Sequence, residues 1–119
     1  MHVVPVELPF SVSDGEEVRL FFSDEDLILR FVDWRENRVE CTFRETLAFR
    51  WSARPTAETP RDDSTYEVLE SPWLLDEARL DGYSDPDGFA HYVLCFNASK
   101  VLEVLSRRVV RQDVMEQGA

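Results

Sequence analysis

Cys41, Cys95 and His91 are the residues of this chain that could together perform nucleophilic or thiolate chemistry. Both cysteines fall inside apolar stretches, where a free cysteine behaves as a small hydrophobic residue. In an extended strand, alternate side chains share a face, so His91 would lie on the same face as Cys95. A nucleophilic cysteine also needs a base and an oxyanion hole, and the neighbouring sequence supplies neither. We therefore predict buried structural cysteines, with no catalytic, cofactor-binding or metal-binding residues.

The loop 81–88 is rich in aspartate and glycine, as calcium-binding loops are. With Gly88 as the central glycine of an EF-hand, Tyr83 would take the first ligand position and Leu94 the last. Neither side chain offers the oxygen that an EF-hand requires there. The sequence therefore predicts a pair of turns.

The acidic residues are the strongest chemical signal, because they give the chain a net charge of −11. Residues 1–26 carry a net charge of −6 and residues 61–88 carry −7. Such a surface repels nucleic acid and anionic membranes and attracts a basic protein, although it could also serve solubility alone. The middle segment supplies our candidate partner-binding residues: Asp62, Asp63, Glu67, Glu70, Trp73, Asp76, Asp85 and Asp87.

The elements that position these residues begin with one long alternating stretch. From Val39 to Trp51, apolar residues occupy the odd positions and polar residues the even ones, except at Glu45 and Ala48. This period of two predicts a long, bent strand that turns Trp51 inward. Glu45 is predicted to mark a bulge or bend, and to pair with Arg30 if the register allows.

The remaining elements alternate with polar connections. Strands are predicted at 18–22, 27–34, 66–69 and 91–96, with a loop over 53–65 and a tight connection at 97–100. Ser71 as N-cap and Pro72 at the first helical position predict a short helix near 71–78. Residues 101–112 fit a helical stripe as well as a strand, and we favour a strand that returns against 91–96.

These elements predict a mainly β, β-rich α+β protein: an antiparallel curved sheet or small sandwich of about five to six strands with one short helix. A length of 119 residues with 44% hydrophobic residues predicts one domain over 1–119. No signal peptide or apolar span is evident, so we expect a cytoplasmic protein with reduced thiols. Trp34 and Trp73 could be core residues or surface anchors.

Two stretches carry a resemblance to known proteins. Leu27–Trp34 followed by Val39–Trp51 is similar to hairpins of small uncharacterised acidic bacterial proteins, and Ser71–Leu74 and His91–Asn97 also recur in such chains. Some of those proteins resemble immunity proteins of polymorphic toxin systems. The resemblance implies an inhibitor and no catalytic residues.

Three functions follow as hypotheses. The leading one is a non-enzymatic protein-binding domain, an immunity-type inhibitor that blocks the phosphate-binding groove of a basic nuclease. The alternative is an enzyme or small-molecule-binding protein, which a deep pocket lined by His91 with a buried carboxylate would favour. The third is a homodimer joined through an edge strand.

Overall fold

The computed structural model describes residues 2–13, 15–52, 64–84, 86, 88–96 and 100–113. Within them it contains nine strands and one helix. In chain order these are β1 His2–Pro5, β2 Glu16–Ser23, β3 Asp26–Val32, β4 Arg38–Arg44, β5 Ala48–Ser52, β6 Ser64–Leu69, α1 Pro72–Leu80, β7 Ala90–Phe96, β8 Lys100–Ser106 and β9 Arg108–Asp113. The predicted mainly β class is confirmed. Most of the predicted loop 53–65 and of the connection 97–100 lies outside the described residues.

The strands form two antiparallel sheets. One has five strands in the order β1-β6-β7-β8-β5, and the other has four in the order β2-β3-β4-β9. The predicted sandwich is therefore correct, but it holds more strands than expected. The count rises because β1 was not predicted and because two predicted segments, 39–51 and 101–112, are each divided between the sheets.

Glu45 and Arg107 mark the corner where both divided segments cross from one sheet to the other. The backbone of Glu45 has a φ of 49°, which ends β4 and turns the chain toward β5. Next to it, the Arg107 N–H donates to the Arg44 carbonyl over 2.9 Å, and the Arg107 side chain pairs with Glu45. The bend predicted at Glu45 is confirmed, whereas the single long strand is wrong.

The predicted pair between Glu45 and Arg30 is also wrong. Arg30 stands directly opposite Glu40 in the β3–β4 ladder, and its Nε lies 2.7 Å from the Glu40 carboxylate. Glu45 lies past the end of β4, so the register brings it to Arg107 instead.

The main core lies between the two sheets and follows the predicted alternation. Alternate residues of β3 and β4 face alternate residues of β7 and β8, so apolar side chains meet in the middle. Its buried members are Phe10, Val12, Leu27, Leu29, Phe31, Val39, Cys41, Phe43, Leu94, Phe96, Leu102 and Val104. Cys95 is also buried, but in a separate cluster with Tyr66 and Val93. The predicted burial of both cysteines is confirmed.

Helix α1 packs on the other face of the five-stranded sheet. Ser71 caps its N-terminus by accepting a hydrogen bond from the Leu74 N–H, and Pro72 starts the helix, as predicted. The observed helix runs from Pro72 to Leu80, two residues beyond the predicted end. Leu74 is buried against Phe89 and Leu105.

No helix in the described part of the chain is long and apolar enough to cross a membrane.

Candidate functional site

A chain of hydrogen bonds runs through the interior beneath α1. The Ser71 Oγ lies 2.7 Å from the His91 Nδ1, and the His91 Nε2 lies 2.8 Å from the Glu103 Oε1. The other carboxylate oxygen of Glu103 accepts a hydrogen bond from the Arg50 Nε over 3.2 Å. His91 is 1% exposed and Glu103 is 0% exposed, so the centre of this buried chain is removed from water.

The strand register accounts for this placement. Arg50 of β5 stands directly opposite Glu103 of β8, and the two share one face of the sheet. His91 of β7 stands opposite Leu105, two positions along β8 from Glu103, and therefore lies on the same face. The N-cap position of α1 then brings Ser71 over the imidazole ring.

One tautomer of His91 gives every hydrogen-bonding group of the buried chain a partner. With His91 neutral and protonated at Nε2, its N–H donates to the Glu103 carboxylate and its Nδ1 accepts from the Ser71 hydroxyl. The Trp73 ring meets the His91 ring edge-on at 5.3 Å and carries the Arg50 guanidinium 4.0 Å above it. A buried carboxylate is costly unless it is fully paired, and here two donors pair it.

The same connectivity is that of a serine nucleophile, its base and an orienting carboxylate. Three features oppose that role for Ser71. Its residue is only 6% exposed, its oxygen already accepts from the Leu74 N–H, and Pro72 has no N–H to offer a developing oxyanion. An adjacent cavity of about 450 Å³ is lined by Ser71, Leu74 and Phe89 among others, but not by His91. We interpret the buried chain as structural: it fastens α1 to the sheet.

The second unusual region is apolar and exposed. Phe22, Phe49 and Trp51 form it, and we call these three residues the open edge. Phe22 is 52% exposed, and Phe49 and Trp51 are each 37% exposed. The rings of Phe22 and Phe49 lie 5.7 Å apart, so the open edge joins the two sheets.

Strand order explains why these rings are uncovered. Phe22 stands opposite the core residue Leu27, and Trp51 opposite the core residue Leu102, so both face the space between the sheets. However, β2 and β5 are the terminal strands of their sheets, and the core ends beside them. The inward direction predicted for Trp51 is correct, but its predicted burial is wrong. Trp34, in the β3–β4 turn, is also exposed.

Acidic residues bound the open edge at both ends of β2. Glu16 and Glu17 are exposed at its start, where the register with β3 shifts and Glu17 takes a φ of 54°. Asp24 and Glu25 form the tight turn at its end, with φ values of 51° and 68°. Two positive φ values in succession are typical of a type I′ hairpin turn, which twists with the strands. Carboxylate side chains therefore stand at both ends of β2, with Arg19 between them on the same strand.

None of the predicted partner-binding residues that the structure describes belongs to the open edge. Asp62, Asp63, Asp85 and Asp87 fall outside the described residues. Trp73 and the exposed Asp76 lie on α1. The Trp73 ring already contacts the Arg50 guanidinium and the His91 ring.

Glu67 and Glu70 both line the cavity beside Ser71. Glu67 also stands opposite Tyr92 in the β6–β7 ladder. The pKa of Tyr92 is raised from its usual value of 10.0, first by burial and then by the negative charge of Glu67.

Within the described residues, no cluster of three or more histidine, cysteine or acidic side chains could hold a metal ion.

The fold defines the class of this protein: an antiparallel β-sandwich with one helix packed on the outer face of its larger sheet. Comparisons with protein-family models, with curated proteins and with solved structures found no match. The resemblance to immunity proteins remains a hypothesis. The buried chain and the open edge are therefore the features of the molecule that bear on its function.

Proposed function

We propose that this protein is a non-enzymatic protein-binding domain that holds a basic partner at the open edge. The observation that carries the proposal is the contact between Phe22 and Phe49, two large rings that remain well exposed although they face the core. Aromatic side chains are enriched at protein interfaces because they bury a large area at a small entropic cost.

The charge of the chain supports a basic partner. The acidic residues at the ends of β2 belong to a protein with a net charge of −11. Long-range electrostatic attraction therefore raises the rate at which a positively charged partner associates. The same charge opposes binding of nucleic acid, and it also opposes association of two copies.

An immunity-type inhibitor fits these properties. A basic nuclease binds phosphate with a positively charged groove, and an acidic protein seated on that groove excludes the nucleic acid. The exposed rings would supply the apolar anchors of that contact, and the carboxylates its rim. In the cytoplasm, where we place the protein, Cys41 and Cys95 would remain reduced.

Affinity capture with matched charge reversals tests the proposal. The immobilised wild-type protein is expected to retain a basic protein that salt releases. Glu25→Lys, at the open edge, should weaken its binding about tenfold, while Asp76→Lys, which changes the net charge equally on α1, should not. Capture of acidic proteins only, or of none, would contradict the proposal. A loss confined to Asp76→Lys would move the interface to the middle segment of the chain.

A second candidate function is ester or amide hydrolysis by Ser71, and the observation that favours it is the hydrogen bond from its hydroxyl to His91. Attack by the Ser71 oxygen on a carbonyl would pass the hydroxyl proton to His91, which would return it to the leaving group as its bond to the carbonyl carbon breaks. Water would then attack the acyl-serine, release the acid and regenerate the Ser71 hydroxyl. A fluorophosphonate probe, followed by intact mass measurement, decides this. Labelling of the wild-type protein but not of Ser71→Ala would support hydrolysis, and no labelling would exclude a reactive Ser71.

A further inference from the structure

We infer that the partner contributes an extended segment with basic ends, and that this segment adds to the four-stranded sheet as a new strand beside β2. The inference rests on the proposed function and specifies how the partner is recognised.

The backbone of β2 supplies the first argument. In the described part of the chain β2 pairs with β3 alone, so its opposite side presents N–H and C=O groups without a strand partner. From Arg19 to Ser23 the register with β3 is regular, which gives five consecutive residues of edge strand without a bulge. An exposed strand edge is a template for an added strand, and many peptide-binding domains use it.

The side chains of β2 supply the second argument. Phe22 faces the space between the sheets beside Phe49, while Phe21 faces the opposite side, where the Arg30 guanidinium lies 5.3 Å from its ring. A strand added beside β2 would place alternate side chains against these two rings. The recognised segment therefore carries apolar residues in its middle.

Charge indicates whether the added segment comes from a second copy of this chain or from a different protein. The two ends of β2 are both acidic, with Glu16 and Glu17 at one end and Asp24 and Glu25 at the other. A second copy of this chain that paired through its own β2 would bring acidic ends against acidic ends in either direction, and the net charge of −11 on each copy opposes pairing through its other strands. A segment with basic residues at both ends meets opposite charge instead, so the occupant is a different, basic protein.

Synthetic peptides test this mode without knowledge of the natural partner. The probe is a peptide of roughly nine residues, enough to span β2 at ~3.3 Å per residue, with two arginines at each end and alternating valine and threonine between them. Two versions carry N-methyl groups on alternate backbone nitrogens, one on the even set and the other on the odd set. Both keep every side chain and every charge of the probe.

An added strand uses only one set of its N–H groups toward its neighbour, because the other set points away. Titration by calorimetry should therefore show one methylated peptide binding about tenfold or more weakly and the other within about twofold of the probe. In a ¹⁵N–¹H correlation spectrum, the amide resonances of Arg19–Ser23 should shift the most when the probe is added. A version with glutamate ends should not bind.

The outcomes separate this inference from the proposed function. Equal binding of both methylated peptides, or amide shifts away from β2, would overturn strand addition while leaving a basic partner in place. A probe that does not bind would overturn it as well, and affinity capture of a basic protein would then still uphold the proposed function. Equal binding of the glutamate-ended peptide would contradict both.

Discussion

The buried chain and the open edge invert the usual arrangement of polar and apolar groups. Beneath α1, a carboxylate and an imidazole lie inside the protein, whereas between β2 and β5 two aromatic rings are in contact at the surface and remain partly exposed. The buried groups are all paired, and their partners offset the cost of removing them from water. Exposure of the aromatic rings to water does not stabilise the fold. The difference indicates that the first region serves stability and the second serves recognition.

The strongest test of this comparison is Glu103→Gln. The amide can accept from only one of its two neighbours and turns its own N–H₂ toward the other, so either the buried His91 or the partly exposed Arg50 loses its acceptor. We expect the free energy of unfolding in urea to fall by about 3 kcal/mol. Glu40→Gln, which changes the exposed pair with Arg30, should cost less than ~1 kcal/mol. Equal losses for the two variants would show that the buried chain is not the special contributor.

Ser71→Ala should have the next largest effect. It removes the helix cap and leaves the His91 Nδ1 without its donor, so we expect a loss of about 2 kcal/mol in urea unfolding. Ser84→Ala, at an exposed serine, is the control and should change stability little. A neutral result at Ser71 would mean that the hydroxyl does not hold α1 to the sheet.

The pH dependence of stability that arises from Tyr92 should be a smaller effect. Its pKa is raised above 10.0 in the folded protein by burial and by Glu67. The folded state therefore holds the phenolic proton more tightly than the unfolded chain, and stability falls as the pH rises above 10. Urea midpoints measured from pH 8 to 11 should show this fall, and Tyr92→Phe should reduce it. Glu67→Gln should bring the Tyr92 titration, followed by ultraviolet absorbance, nearer to pH 10.

Phe22→Ser should change stability least. About half of this side chain is already exposed, so its removal forfeits only about half of a full burial contribution and should cost about 1 kcal/mol in urea unfolding. A loss as large as that of Glu103→Gln would mean that the open edge is part of the core and would end the comparison.

The sequence predicted best what depends on neighbouring residues. The alternation around Cys41 indicated the correct buried face, and Ser71 with Pro72 indicated the start of the helix. The segment 101–112 fitted both a helix and a strand because closely spaced valines and leucines satisfy either period. Its division at Arg107 depends on contacts with the corner at Glu45, which no local pattern shows.

The candidate regions depend on strand order, which the sequence does not reveal. Glu103 was not predicted to meet His91, although one carboxylate within an apolar run was a signal that a buried partner exists. Phe49 and Trp51 have the pattern of core residues, and they become exposed only because β5 ends its sheet. Periodicity determines a face, whereas burial requires knowing what covers that face.

The most direct test of the open edge compares two exposed apolar residues. Leu80 at the end of α1 is 82% exposed and Phe22 is 52% exposed, so serine at either position should leave the fold intact. Calorimetric titration with the captured basic partner should show about tenfold or greater loss of affinity for Phe22→Ser and none for Leu80→Ser. If Phe22→Ser binds the partner as tightly as the wild-type protein does, the open edge is not the recognition surface.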